Sequence, residues 1–129
     1  MYDFLFIKTS GEYLKLPFEE IVYVEAVNKY AKIVTKKKSY LIPTTMCNIE
    51  RMLPFKIFRR IHRSYIVSLY HANRFDNNFV YMENKKIPIG KHYKGSLLTD
   101  VIVLCTDDKA GIKLSTGDID KLLRDINPQ

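Results

Sequence analysis

The stretch "EIVYVEAVNKYAKIVTK", residues 20–36, has the pattern of two β-strands joined by a tight turn. Residues 20–27 are rich in the β-branched side chains that favour a well-buried strand, and residues 30–36 alternate between apolar and polar side chains. Between them lies Asn28, a residue type that tolerates the left-handed backbone conformation found in many turns. The stretch therefore predicts a β-hairpin in a mainly β protein.

Alternating segments bounded by turn residues continue on both sides of this hairpin. Toward the amino terminus, Ser10-Gly11 predicts a turn between two strands, and on the other side the lysine run at 36–38 is typical of a hairpin tip. The further predicted strands cover residues 3–9, 12–18, 39–44, 58–70, 73–75 and 78–84, and a last one begins at residue 85. This spacing of short strands is typical of a mainly β fold.

Residues 44–54 change to a helical period. Thr44 or Thr45 is suited to cap the start of this short helix, and Pro54 is suited to end it. Its apolar face is predicted to carry Met46, Ile49, Met52 and Leu53. A second short helix or a loop is predicted after Gly90, so the fold has one or two small helices.

The last 29 residues differ from the rest of the chain. We expect one domain at residues 1–100 and a C-terminal extension of unknown role at residues 101–129. The extension begins with the strand-like run 101–105 and continues to a predicted amphipathic helix at 116–126. It could add a strand and a helix to the domain, mediate dimer contacts or exchange between protomers, and the sequence does not choose among these.

The charge of the chain is strongly positive and unevenly distributed. The formal net charge is +7. Residues 1–100 hold 17 Lys/Arg against 9 Asp/Glu, whereas residues 101–129 hold 4 against 5. This asymmetry indicates either a polyanionic partner for the first hundred residues or a basic surface that is merely solvated, and charge alone does not decide between them.

The sequence gives little support for an enzyme. It contains neither of the glycine-rich phosphate-binding motifs of nucleotide-binding proteins. His62, His71 and His92 lack metal-ligand spacing, and the adjacent Glu19 and Glu20 would lie on opposite sides of a strand. We therefore expect no catalytic residues, no metal and no cofactor.

The two cysteines and the apolar segments bear on the compartment. Cys47 and Cys105 form neither a metal-binding spacing nor a disulfide framework, so each is expected to be a small buried apolar residue in a reducing compartment. The sequence shows no signal peptide and no segment long enough to span a bilayer. A cytoplasmic protein that does not bind membranes is the expectation.

Three polar clusters lie where predicted strands give way to loops or turns. Each has an ordinary structural explanation, namely a hairpin turn, a solvated or Glu-paired strand face, and a solvated helix start. Together, however, they could project from a β scaffold into a groove of nucleic acid, where arginine contacts guanine and lysine or tyrosine holds phosphate. The clusters are Asn28-Lys29-Tyr30, then Arg59, Arg60, His62 and Arg63, then Lys91, His92 and Lys94.

Three motifs give the chain a resemblance to a known family. In order and spacing, "IVYVEAVNKYAKIVT" (21–35), "FRRIHRSYIVS" (58–68) and "KKIPIGKHYK" (85–94) resemble the LytTR DNA-binding domain of bacterial response regulators. The resemblance covers about residues 4–98. Its most specific part is the F-x-R-x-H-R-S-Y-I-V core joined to a downstream I-P-I-G-[KR]-x-Y motif.

The resemblance implies a fold and a mode of DNA binding. It implies an elongated fold of about ten strands in three mostly antiparallel sheets with a small helix, and major-groove recognition by loops rather than by a helix. His62 is implied to form structural hydrogen bonds, and Lys91 stands where arginine is common, which favours a phosphate contact there. The residues implied to contact DNA are Asn28, Lys29, Tyr30, Arg63, Lys91, His92 and Lys94.

The resemblance also implies partners. It implies a transcriptional output domain that binds double-stranded DNA at repeated sites, with two copies forming a homodimer on the DNA. Family members usually carry a phosphoacceptor receiver domain, and none precedes residue 1, so we expect a fragment of a longer regulator or a truncated one. The alternatives are a module that binds RNA or another polyanion, with exposed aromatic rings stacking on unpaired bases, and a protein-interaction module.

Overall fold

The computed structural model describes residues 3–107. These residues contain ten β-strands and two short α-helices. The strands are β1 (Phe4–Thr9), β2 (Glu12–Pro17), β3 (Ile21–Val27), β4 (Tyr30–Thr35), β5 (Ser39–Ile42), β6 (Phe58–His62), β7 (Tyr65–Ser68), β8 (Arg74–Phe75), β9 (Phe79–Tyr81) and β10 (Lys86–Pro88). The helices are α1 (Met46–Met52) and α2 (Ser96–Asp100), and 3₁₀ turns lie at Phe18–Glu20 and Lys91–Tyr93.

The strands form three antiparallel sheets, which confirms the predicted mainly β, three-sheet fold. β1 and β2 form a hairpin whose turn, Ser10-Gly11, has positive φ at both residues. The central sheet has the order β5-β4-β3-β7-β6, and the third sheet has the order β10-β9-β8. The predicted hairpin of residues 20–36 is β3–β4, with Asn28 in the left-handed conformation at φ 54°.

The central sheet is packed on both faces, because two hydrophobic cores meet on it. Ile66 and Val67 are adjacent in β7 and at most 1% exposed, yet they belong to different cores. Ile66 packs in the core formed with α1 and the β1–β2 hairpin, whereas Val67 packs in the core beneath the third sheet. Burying one such side chain stabilises the folded state by roughly 1.5–3 kcal/mol. The ends of β3, β6 and β7 are therefore held firmly from both sides.

Helix α1 has the predicted cap at its start, but one residue of its predicted apolar face is exposed. Thr45 is the cap, and its side chain accepts a hydrogen bond of 3.1 Å from the backbone N–H of Asn48. Met46 and Ile49 are buried as predicted, but Met52 is 71% exposed. At about 100° per residue, Met52 lies roughly 120° around the helix from Met46 and so leaves the buried face.

The expectation that both cysteines are buried is wrong, because both are exposed. Cys47 lies on the polar side of α1, with its Sγ 3.5 Å from a guanidinium nitrogen of Arg60. Cys105 lies beyond α2 in an exposed segment. A cysteine side chain is small, so its exposure to water costs little, and its low polarity alone brought neither residue into a core.

The prediction of one strand over residues 58–70 is also wrong. β6 ends at His62 and β7 begins at Tyr65, and these two residues pair across a two-residue turn of Arg63 and Ser64. The turn contains no glycine, proline, asparagine or aspartate, and Ser64 is its one residue of a type common in turns. Side-chain hydrogen bonds, described below, stabilise it instead.

The C-terminal extension is described only in part. Residues 101–107 form no strand among the described residues, contrary to the prediction for 101–105, and Ile102 is 94% exposed. The predicted helix at 116–126 lies outside the described residues. Among residues 3–107, neither helix has the length and apolar content needed to cross a membrane.

Candidate nucleic-acid interface

The turn between β3 and β4 places the first predicted cluster at one end of the central sheet. Val27 pairs with Tyr30, so Asn28 and Lys29 form a two-residue turn beyond the last pair. All three residues of the cluster are exposed, and Tyr30 is 44% exposed. The turn therefore presents an amide, an ammonium group and a phenol to solvent.

The turn between β6 and β7 brings Arg63 to the same end of the sheet. β3 and β7 are neighbours, and the backbone N–H of Ala26 donates a 2.9 Å hydrogen bond to the carbonyl oxygen of Ser64. This bond ties the second turn directly to the end of β3. The Arg63 side chain is exposed, and within residues 3–107 it has no hydrogen-bond or ion-pair partner.

The 3₁₀ turn Lys91–Tyr93 packs against the same strand ends. The N–H of Gly90 donates a 2.7 Å hydrogen bond to the carbonyl oxygen of Ile61 in β6. A Cβ at Gly90 would lie 3.2 Å from Cδ2 of Tyr93, a tight contact, so glycine makes room here for the ring of Tyr93. Lys91, His92 and Lys94 are all exposed. The structure thus brings all seven predicted DNA-contacting residues to one end of the central sheet.

Arg60 stabilises the β6–β7 turn from behind. Its guanidinium donates to the carbonyl oxygen of Arg63 at 2.7 Å and to that of His62 at 3.3 Å. The same group forms an ion pair of 3.2 Å with Glu50 of α1. Partial burial lowers the pKa of Arg60, but its hydrogen bonds to Cys47 and Glu50 outweigh this and raise the pKa above its ordinary value. Arg60 therefore stays charged and fixes the backbone that carries Arg63.

His62 forms a structural hydrogen bond, as predicted. Its Nδ1 accepts a 3.0 Å hydrogen bond from the backbone N–H of Ser64, which satisfies a donor inside the turn. The imidazole ring lies edge-on to the ring of Tyr65, with 5.6 Å between centroids. The half-buried His62 thus supports the turn from within.

The charges at this end of the sheet are positive and largely free. Within residues 3–107, the side chains of Lys29, Arg63 and Lys91 have no carboxylate partner. Glu50 is paired with Arg60, so it leaves little negative charge beside the β6–β7 turn. Positively charged and unpaired side chains on rigid turns are suited to a polyanion, and they release its condensed counterions on binding.

The opposite end of the central sheet has a different character. There the β4–β5 turn carries Lys36 and Lys37, but it lies beside Glu19 and Glu20 of the first 3₁₀ turn. Lys36 also pairs with Glu83 at 3.7 Å. A strand of six residues is roughly 20 Å long, which separates the two ends by between two and three Debye lengths, each about 8 Å at physiological salt. The lysines of this second end are therefore suited as control positions for the positive end.

Comparison with known proteins agrees with this arrangement. The family model of the LytTr DNA-binding domain matches residues 11–101. The chain belongs to the LytTR family. It is accordingly a DNA-binding domain of the type that serves transcriptional regulators as their output.

Several relatives carry a LytTR segment like this one. The sensory transduction protein LytT of Bacillus cereus is 29% identical over 85 residues, which are 61% of this chain and 35% of LytT. The CO-responsive transcriptional regulator RcoM of Rhodospirillum rubrum is 36% identical over 70 residues, which are 54% of this chain and 26% of RcoM. The matched segment is therefore about a third or less of these relatives.

A solved structure shares the LytTR fold. It is a LytTr DNA-binding domain from a Bacillus cereus protein described as a methyl-accepting/DNA response regulator. The two structures match with a TM-score of 0.63 at 23% identity, over 76% of this chain and 94% of the other. At this identity the likeness concerns the fold.

Two residues that support the LytTR site were not identified from the sequence. Arg60 was grouped with the surface cluster, and nothing in its spacing shows that it turns back to its own hairpin. Lys85 lies 3.5 Å from Glu25 and over the rings of Tyr23 and Tyr65, which joins the β9–β10 loop to the central sheet. Burial lowers the pKa of Lys85, but Tyr23 and Glu25 outweigh this and raise it.

Arg60→Met is expected to weaken the LytTR site without removing any group that touches DNA. The variant loses the donor to the carbonyl oxygens of Arg63 and His62, and a charge-assisted hydrogen bond of this kind is worth about 1.5–3 kcal/mol. Thermal unfolding should show a comparable loss of stability, and the preference for specific over unrelated duplexes should fall severalfold. Arg51→Met is the control, because it removes one exposed charge from neighbouring α1. Equal DNA discrimination in the two variants would contradict the role of Arg60.

Proposed function

We propose that the chain binds duplex DNA sequence-specifically, with its two hairpin turns and the 3₁₀ turn entering the major groove. The observation that carries this proposal is the convergence of Asn28–Tyr30, Arg63 and Lys91–Lys94 at one end of the central sheet. A major groove about 12 Å wide admits a two-stranded β-ribbon, so the β6–β7 turn is narrow enough to enter it.

Arg63 is proposed to contact base edges. Its guanidinium can donate two hydrogen bonds to O6 and N7 of guanine, a bidentate contact that distinguishes this base from the others. Because Arg60, His62 and Ala26 hydrogen-bond to this turn, the backbone of Arg63 loses little freedom on binding. A side chain on a fixed backbone loses only its own rotamer freedom when it contacts a base.

The flanking residues are proposed to hold the duplex in register. Lys29 and Lys91 are point charges suited to phosphate, while Asn28, Tyr30 and His92 can donate hydrogen bonds to bases or backbone. Lys94 is partly occupied, since its Nζ donates a 3.0 Å hydrogen bond to Oδ1 of Asn78. A lysine held in this way suits a phosphate contact, because two of its three donors remain available.

The biological role follows as part of the same proposal. Two copies are proposed to bind repeated sites as a homodimer on DNA, in a cytoplasmic regulator whose remaining domains receive the signal. Support comes from the relatives, since LytT is a sensory transduction protein and RcoM is a CO-responsive transcriptional regulator. The matched segment is a minor part of each, which leaves room for such sensing domains.

The experiment that tests the proposal is a selection of preferred sequences from random duplex DNA, followed by competition with single-stranded RNA. We expect a discrete consensus with two half-sites and no displacement by RNA at equal concentration. Displacement by RNA would favour the second candidate, in which the exposed ring of Tyr30 stacks on unpaired bases. Absence of binding to any duplex, even at low salt, would disprove both base contact and regulation.

Lys94→Ala is expected to weaken binding to all duplexes alike, by severalfold. The proposed phosphate contact carries no sequence information, so the ratio of specific to non-specific affinity should not change. Fluorescence anisotropy with the selected duplex and a scrambled one measures this ratio, and Lys37→Ala at the opposite end of the sheet controls for net charge. A changed ratio would instead assign Lys94 a base contact.

A further inference from the structure

The outer face of the three-stranded sheet carries a row of cationic and aromatic side chains. The strand register places Arg74 beside Tyr81 and Tyr81 beside Lys86, with Phe79 and Pro88 in the next row on this side. The opposite face of the same sheet is apolar, and its Val80 and Ile87 are at most 1% exposed. We use the term outer face for Arg74, Phe79, Tyr81, Lys86 and Pro88.

Both cations of the outer face are held against aromatic rings. The guanidinium carbon of Arg74 lies 3.7 Å from the ring centroid of Tyr81, and the Nζ of Lys86 lies 4.2 Å from that of Phe79. Neither cation donates a hydrogen bond or forms an ion pair within residues 3–107. Cation–π contacts restrain the side chains without neutralising them, so both charges remain available to a ligand.

The carboxylate of Asp76, beside Arg74 and Tyr81, is already occupied. Oδ1 of Asp76 accepts hydrogen bonds of 2.8 Å from the backbone N–H groups of Asn78 and Phe79, and Oδ2 accepts one of 3.0 Å from the hydroxyl of Tyr81. These bonds, with the charge of Arg74, lower the pKa of Asp76. Asp76 therefore organises the β8–β9 turn and makes no hydrogen bond to Arg74.

The outer face continues to the DNA-binding end of the molecule. The carbonyl oxygen of Asn78 accepts a 2.8 Å hydrogen bond from Ile89, and its side chain binds Lys94. From Asn78 to Tyr81 the strand covers roughly 10 Å. Arg74 and Lys86 therefore extend the positive charge of Lys91 and Lys94 along one side of the domain.

We propose that the outer face binds the phosphate backbone of the duplex DNA that flanks the bases contacted by Arg63. The inference rests on the proposed function and enlarges its footprint. Phosphate is the fitting ligand because an arginine and a lysine without partners match its charge and acceptors. Stacking of unpaired bases fits less well, since the two cations already cover the rings of Tyr81 and Phe79.

The test compares two matched double variants of the whole chain. Arg74→Gln/Lys86→Gln removes both charges of the outer face. Lys37→Gln/Lys38→Gln removes two charges from the β4–β5 turn at the opposite end of the central sheet, the far turn. Lys38 also lies over a ring, 4.9 Å from the centroid of Tyr40. Affinity is measured against salt with two duplexes, one limited to the selected site and one extended by a helical turn on each side. Thermal unfolding checks that both variants are folded.

For the outer-face variant on the extended duplex, the slope of log K against log salt should become shallower by about 1.8, since each phosphate contact contributes about 0.9. The preference for the selected sequence should not change, and the short duplex should show a smaller effect. Slopes equal to those of the far-turn variant, on both duplexes, would overturn the inference while leaving the proposed function intact. If the unmodified chain bound no duplex, the proposed function would fail and the inference with it.

Discussion

Arg63→Ala is expected to remove most of the discrimination of the chain at the one base pair that Arg63 contacts. A bidentate contact between arginine and guanine is worth about 1–3 kcal/mol of discrimination, or a preference of roughly 5-fold to 150-fold. The affinity for scrambled duplex should fall much less, because the other cations at this end of the sheet remain. Parallel titrations with the selected duplex and with variants at each base pair would measure both quantities.

The fold of the Arg63→Ala variant should be preserved. The Arg63 side chain is exposed and has no partner within residues 3–107, and φ at this position is not positive. The hydrogen bond from Arg60 is accepted by the carbonyl oxygen of residue 63, which every substitution retains. A loss of discrimination at unchanged thermal stability would therefore reflect contact with DNA.

Arg63→Lys separates base recognition from charge. Lysine keeps the positive charge but lacks the planar fork that forms two parallel hydrogen bonds. We expect this variant to retain the non-specific affinity of the unmodified chain and to lose much of its discrimination at one base pair. If Arg63→Lys and Arg63→Ala both kept the sequence preference, another residue, with Asn28 the first candidate, would have to contact the bases.

Much of the fold could be predicted from the sequence, because its strands follow a simple rule. Where apolar and polar residues alternate and a turn residue follows, as at Ser10-Gly11 and Asn28, the predicted hairpins are present. The β6–β7 turn was missed because its stability comes from side chains that reach back to it, from Arg60 and His62. These hydrogen bonds span only two or three residues, but arginine and histidine are not among the residue types that usually mark a turn.

The sequence indicates where the candidate site residues lie, at the ends of strands, but not the contacts that hold them there. Exposed residues at strand ends are visible as polar clusters between apolar runs, and the LytTR motifs fix their order along the chain. The contacts that hold them are long-range, such as the bond from Ala26 to Ser64 and the ion pair of Arg60 with Glu50. The outer face was not visible either, because Arg74, Tyr81 and Lys86 come together only through strand pairing.

The second large effect is expected from salt. If Lys29, Lys91 and Lys94 each contact one phosphate, the affinity of one copy should fall roughly fortyfold between 50 and 200 mM monovalent salt. If Arg74 and Lys86 also contact phosphate, the same change should lower it roughly five hundredfold. The salt dependence thus measures how many of the exposed cations take part, independently of which bases are contacted.

The measurement requires a single bound copy, because two copies on repeated sites would double the slope. A duplex that carries one half-site with a helical turn of flanking DNA on each side provides this, and anisotropy at four or more salt concentrations gives the slope. Lys37→Ala should leave it unchanged, because that residue lies at the other end of the central sheet, about 20 Å away. A slope near zero would mean that the positive end of the sheet does not bind the DNA backbone, and the docking geometry proposed for Arg63 would then be wrong as well.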